Sequence, residues 1–181
     1  HSIEHSRADL HGLGNLPAAI SAQVSVCSSV GEYAFYCDFG WLLESAETDE
    51  QLALAFKLAI FGRRFAADPN CDWESLPKIQ LGSEFRERTQ AVARLNTSLG
   101  GNITATIVDL FESTNDDQSH WLRTGAGGGN PQRNCRGFGA WRRDVARDVH
   151  VHYWKGPNGT IELSWVSHPH NDFYIPSGTT F

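Results

Sequence analysis

The stretch VHVHYWKGPNGTIELSWV, residues 149–166, constrains the fold of this 181-residue chain more than any other. Its centre, Asn158-Gly159, is a dipeptide that type I′ turns prefer, because both central residues of that turn need positive φ. Runs of β-branched and aromatic residues flank it on both sides, as is typical of strands. We therefore predict a β-hairpin. A two-residue turn sets Lys155 opposite Glu162, Val151 opposite Val166 and His152 opposite Trp165. A four-residue loop would slide these pairs but keep the same two faces, whereas a three-residue loop would reassign the faces.

Two histidines share one face of the predicted hairpin. Because side chains alternate along a strand, His150 and His152 project to the same side. The same alternation places four apolar residues on that side: Trp154, Ile161, Leu163 and Trp165. The simplest interpretation is that both imidazoles pack on the tryptophans at a half-buried surface.

A metal site is the second interpretation of these histidines. A His-x-His pair on one strand offers two imidazoles to one zinc or copper ion, which needs at least one further ligand. The candidates for it are His168, His170, His120 and His1, and none has a spacing that demands it; His168 falls on the opposite face, whereas Pro169 ends the strand and frees His170. An N-terminal histidine chelates copper through its amine and ring. The candidate metal ligands are therefore His150, His152, His170 and His1.

Acid–base catalysis is the third interpretation. Phosphodiester cleavage needs an acid, a base and a positive charge that stabilises the transition state. The hairpin and the arginine-rich segment before it supply four candidate catalytic residues: His150, His152, Arg147 and Glu162. The alternative for the arginines is local Asp–Arg pairing on a solvated surface, with residues 140–147 forming a helix.

The remaining elements predict an α+β fold within a single domain, residues 1–181. Residues 1–22 are predicted to form an extended arm, and residues 24–43 are predicted to form strand. Thr48-Asp-Glu-Gln51 is a capping-box pattern, which predicts a helix over 49–67. A short strand over 78–81, a helix over 83–99 and a strand over 102–111 follow. Residues 112–140 form a long glycine-rich loop, which lacks the context of a phosphate-binding loop. We expect an antiparallel or mixed sheet of five or six strands with two main helices on one face.

Several features predict a secreted glycoprotein. The chain begins at His1 and contains no methionine, which fits removal of a signal peptide. Three N-x-S/T sequons begin at Asn96, Asn102 and Asn158. Four cysteines without zinc-site spacing predict two disulfides that staple the domain. Three pairings are open, and we favour Cys27–Cys37 with Cys71–Cys135.

Composition narrows the function to two classes. The net charge of −6 argues against non-specific nucleic-acid binding, and no apolar run is long enough to span a membrane. We favour an extracellular effector, toxin or binding module that contacts a macromolecule or cell surface through exposed tryptophans: Trp121, Trp141 and Trp154. The alternative is a secreted hydrolase with phosphodiesterase-like acid–base chemistry, or a metal-dependent enzyme, that uses the histidines around 150–170.

Overall fold

The computed structural model describes residues 27, 29–126, 129–169, 171 and 173–181. The predicted N-terminal arm lies outside these residues. Five helices are present in the described chain: α1 (Val30–Tyr36), α2 (Phe39–Ser45), α3 (Asp49–Ala67), α4 (Phe85–Ala93) and α5 (Leu99–Phe111). Six strands accompany them: β1 (Gln80–Leu81), β2 (Ser119–Trp121), β3 (Asn134–Cys135), β4 (Phe138–Ala146), β5 (Val149–Lys155) and β6 (Ile161–Ser167). The predicted α+β class is therefore confirmed.

The six strands form one mixed sheet. Its order is β1-β6-β5-β4-β2, and β3 also pairs with β4. The short β1 runs parallel to β6, whereas the other neighbours are antiparallel. This arrangement confirms the predicted mixed sheet of about six strands.

The helices cover one face of this sheet. On that inner face the strands contribute six buried side chains: Val149, Val151, Tyr153, Ile161, Leu163 and Val166. They pack against Phe56 of α3, Phe85 of α4, and Ile103 and Ile107 of α5. Burial of this apolar surface is the main stabilising contribution to the fold.

The C-terminal segment, residues 173–181, covers the opposite face, which we call the outer face. Trp154 Nε1 donates to the carbonyl oxygen of Pro176 at 2.9 Å, and the ring of Phe181 stacks on Phe138 with centroids 3.7 Å apart. The central strands are consequently buried on both sides, and no side chain of β5 before Lys155 is exposed.

The hairpin is confirmed, but its turn differs from the prediction. Five residues connect the strands, because Lys155 pairs with Ile161, and Gly159 rather than Asn158 has positive φ. A bulge at Ser164 then restores the predicted pairs Val151–Val166 and His152–Trp165. Between turn and bulge the register is shifted by one residue. This shift places Ile161 and Leu163 on the inner face and Glu162 on the outer face, so the predicted Lys155–Glu162 pair is wrong.

Helix α3 confirms the capping-box prediction. The hydroxyl of Thr48 accepts the backbone N–H of Gln51 at 3.3 Å, and the Gln51 amide oxygen accepts the N–H of Glu47 at 2.7 Å.

The predicted strand over 24–43 is wrong for its described part, which forms α1 and α2. Ser29 and Asp38 cap these helices by accepting N–H groups of Glu32 and Trp41.

The glycines at 100 and 101 begin a helix instead of ending one. Helix α4 is shorter than predicted, and the expected strand over 102–111 is part of α5. Ile103, Ile107 and Leu110 recur at helical spacing, and all three are buried. This periodicity outweighs the preference of β-branched residues for strands.

The disulfide prediction is wrong. All four cysteines are among the described residues and carry free thiols. Cys71 packs in a cluster beneath α3, whereas Cys135 packs with Phe138 on the outer face. Cys37 donates its S–H to the carbonyl oxygen of Tyr33, and burial raises the pKa of this thiol.

Residues 112–146 contain more regular structure than predicted. The expected loop includes β2 and β3, and residues 140–146 form part of β4 and not a helix.

The described chain has no helix that is long and apolar enough to cross a membrane.

Candidate active site

Polar side chains from three adjacent strands meet on the outer face. Three Cα pairings bring them together: His120 with Arg142, Arg142 with His152, and Asp144 with His150. Because paired residues project to the same side of a sheet, all five side chains belong to one cluster.

Asp144 lies between two imidazoles of this cluster. Its Oδ1 is 3.4 Å from Nε2 of His150, and its Oδ2 is 3.8 Å from Nε2 of His120. Nη1 of Arg142 lies 3.5 Å from Nδ1 of His150. Since a guanidinium only donates, this contact assigns the ring proton of neutral His150 to Nε2, where it faces Asp144.

Exposure separates the three histidines. The side chain of His120 is 48% exposed, whereas His150 is 5% exposed and His152 is completely buried. The ring of His152 lies under the C-terminal segment, where Nδ1 contacts the carbonyl oxygen of Tyr174 at 2.8 Å and therefore carries a proton. Of these three, His120 is the imidazole that a ligand can reach.

His120 lines a polar cavity of about 500 Å³, which we call the His120 cavity. Arg123, Arg142 and Phe173 also line it, together with Gly125 and Ala126 from the glycine-rich loop. Two guanidinium groups beside an exposed imidazole are groups that can bind an anion, and the carboxylate of Asp144 lies at ion-pair distance from that imidazole.

Of the four predicted catalytic residues, the structure brings His150 and His152 together in this cluster and places Arg147 and Glu162 elsewhere. His150 lies behind Asp144, and His152 lies under the C-terminal segment. Arg147 is exposed at the turn between β4 and β5. Glu162 is buried beneath the C-terminal segment, where its carboxylate accepts the backbone N–H groups of Thr179 and Thr180.

The predicted metal site stays a prediction. His150 and His152 do lie together, with ring centroids 6.4 Å apart. His1 and His170 are outside the described residues. Within the described chain, no group of three or more His, Cys, Asp or Glu side chains is arranged to hold a metal ion.

Three residues of the cluster were not predicted as catalytic from the sequence: His120, Arg142 and Asp144. The spacing of Arg142 and Asp144 by two residues is that of neighbours on one strand face, but it carries this meaning only if 138–146 is a strand. His120 belongs to a stretch that we predicted to be loop.

No protein-family model matches the chain, and comparisons with curated proteins and with solved structures give no significant match. The site is therefore interpreted from its own geometry.

Proposed function

We propose that the protein is an acid–base hydrolase that cleaves a phosphodiester in the His120 cavity. The contact between half-exposed His120 and Asp144, 3.8 Å from Nε2 to Oδ2, carries this proposal, because a carboxylate at one ring nitrogen orients an imidazole. His120 takes a proton from the attacking water as the water oxygen bonds to phosphorus, and the P–O bond to the leaving group breaks. The departing oxygen takes a proton from solvent, and His120 releases its proton to solvent. Arg123 and Arg142 hold the phosphate and stabilise its developing charge. Asp144 and buried His150 act as positioning residues.

Hydrolysis of bis(4-nitrophenyl) phosphate tests the proposal, since release of 4-nitrophenolate is measured directly. We expect His120→Gln to lower kcat/KM by about 100-fold or more. Arg142→Gln should also lower it, mainly through KM if the guanidinium binds the ground state. His168→Gln and Arg94→Gln are matched controls, because neither residue lines the cavity. Full activity of His120→Gln, or no activity of the wild type on phosphodiesters, overturns the proposal.

A second candidate function is an extracellular effector, toxin or binding module. Trp121 is exposed, as expected from the sequence, whereas Trp154 is buried. A separate aromatic surface supports this function: α1 and α2 expose Tyr33, Phe35, Tyr36 and Trp41 by 51–68% each. Exposed aromatic clusters are typical of protein-interaction surfaces.

Cell-surface binding of fluorescently labelled protein tests this second function. The triple substitution Phe35→Ser, Tyr36→Ser and Trp41→Ser should abolish binding if the aromatic surface makes the contact. Leu95→Ser is the control, because Leu95 is similarly exposed but lies beyond the end of α4. Equal binding of the triple variant and the wild type contradicts the role of this surface.

Secretion and N-glycosylation remain part of the proposal. All three sequon asparagines, Asn96, Asn102 and Asn158, are exposed, as glycan attachment requires. Protein recovered from the medium of a eukaryotic host should lose mass on treatment with an N-glycan-removing amidase. Unchanged mass contradicts glycosylation at these sites.

A further inference from the structure

A second cavity, of about 620 Å³, lies on the inner face of the sheet beside the hairpin turn. We call it the hairpin cavity. It is bounded by the turn at residues 158–160, the end of α5 and the segment before β1. Its volume is in the range of small-molecule sites.

Aromatic and aliphatic side chains form the floor of the hairpin cavity. Trp141 and Tyr153 are Cα partners in β4 and β5, so their side chains project to the same face, and Phe111 and Ile161 complete the floor. Burial raises the pKa of Tyr153, which keeps its phenol neutral. Such a floor suits the flat apolar body of a ligand.

Two ammonium groups stand at the rim of this cavity. Lys78 and Lys155 are exposed and line it, and in the described part of the chain no carboxylate lies within 4.0 Å of either. Lys155 loses its predicted partner because the register shift turns Glu162 to the outer face. Asp116 also lines the cavity, but its carboxylate faces buried Arg143 at 3.6 Å. The lysines therefore give the mouth of the cavity a positive charge.

We propose that the hairpin cavity binds a small aromatic carboxylate, with its ring on Trp141 and its carboxylate at Lys78 and Lys155. The ammonium of Lys155 already lies 5.8 Å from the centroid of Trp141, so ring and charge are adjacent on the protein. The planar ring of the ligand is complementary to the ring of Trp141, and its carboxylate is complementary to the ammonium groups of Lys78 and Lys155. The hairpin cavity and the His120 cavity share Ser119 and Trp141 in their linings. They differ in their charged groups, because His120 and Arg142 project to the outer face, whereas Lys155 projects to the inner face.

Calorimetric titration with naphthalene-2-carboxylate tests this site. We expect saturable one-to-one binding, weakened about tenfold or more by the double substitution Lys78→Gln and Lys155→Gln, because both charges are removed. The neutral probe naphthalene-2-carboxamide should bind the wild type about tenfold or more weakly than the carboxylate does, because it carries no negative charge for the lysines to attract. Lys57→Gln is the matched control, since Lys57 also lies over a tryptophan, Trp73 at 4.6 Å, but outside the cavity.

Three further measurements test the location and the specificity of binding. His120→Gln should bind the carboxylate as the wild type does, and circular dichroism should show that the double lysine variant is folded. Intermolecular NOEs from the naphthalene protons to Trp141 and Tyr153 should locate the ligand. Absence of saturable binding, binding that the lysine substitutions leave unchanged, or NOEs only to the aromatic surface of α1 and α2 overturns the proposal.

Discussion

The carboxylate of Glu162 accepts the backbone N–H of Thr180 at 2.7 Å. It also accepts the N–H of Thr179 and the hydroxyl of Thr180, and Glu162 itself is completely buried. A buried carboxylate is costly unless hydrogen bonds satisfy it. The pairing of Glu162 with the C-terminal segment thus explains both why the glutamate is tolerated in the sheet and why the segment stays on the outer face.

Glu162→Gln should destabilise the protein by about 2 kcal/mol, because hydrogen bonds to a charged acceptor are replaced by weaker ones and an NH₂ group enters a site of donors. The measurement is the free energy of unfolding in urea. Glu87→Gln, at an exposed position of α4, is the control and should change it by less than about 0.5 kcal/mol. Equal losses in the two variants would contradict the role of the Glu162 contacts.

Trp154→Phe should cost about 1–3 kcal/mol, because the buried carbonyl of Pro176 loses its 2.9 Å bond from the indole and keeps only the long contact from the Ser164 hydroxyl at 3.4 Å. Trp121→Phe is the matched substitution at an exposed tryptophan and should change stability little. Thermal unfolding of both variants gives the comparison. A Trp154→Phe protein as stable as Trp121→Phe would show that the indole contact contributes nothing.

Asp109 makes stability depend on pH. Burial alone would raise its pKa, but hydrogen bonds from Arg63, Asn115 and Thr114 lower it below its ordinary value of 3.8. A carboxyl with a lowered pKa stabilises the fold above that ordinary value, and the contribution is lost as pH falls through the folded-state pKa. Asp109→Asn should therefore cost about 1 kcal/mol at neutral pH, a value reduced by the partial exposure of Arg63.

The difference in the free energy of unfolding between wild type and Asp109→Asn, measured in urea, should become smaller as the pH is lowered below about 4. Asp72→Asn serves as the control at an exposed aspartate away from any arginine contact. A difference that is constant down to the acid limit would contradict the assigned origin of the pKa shift.

The sequence predicted the elements whose signals are local. Helix α3 was identified because Thr48 and Gln51 satisfy N–H groups within one turn, and this chemistry needs no distant partner. Ser29 and Glu32 have the same spacing, but the aromatic run after them favoured a strand. In α5 the β-branched residues pointed to a strand, and the decision for helix came from packing on α2 and the sheet.

The candidate site was only partly predictable for the same reason. Pairing of His152 with Trp165 followed from the hairpin, but the one-residue shift that moves Glu162 depends on a five-residue turn and a bulge. Burial of His152 arises from the C-terminal segment, which begins about twenty residues later in the chain. His120 enters the site through β2, a strand of three residues too short to recognise from periodicity.

Two adjacent glycines of α5 provide a last test, with opposite expected signs. A Cβ at Gly100 would lie 2.9 Å from the Cα of Gly40, so Gly100→Ala must separate α2 from α5 and should cost about 1–3 kcal/mol. A Cβ at Gly101 would meet no atom within 4 Å, and alanine there lowers the entropy of the unfolded chain. Gly101→Ala should therefore stabilise by about 0.5–1 kcal/mol. The measurement is the free energy of unfolding of both variants in urea. If both substitutions lower it, the packing of α5 on α2 does not distinguish the two positions.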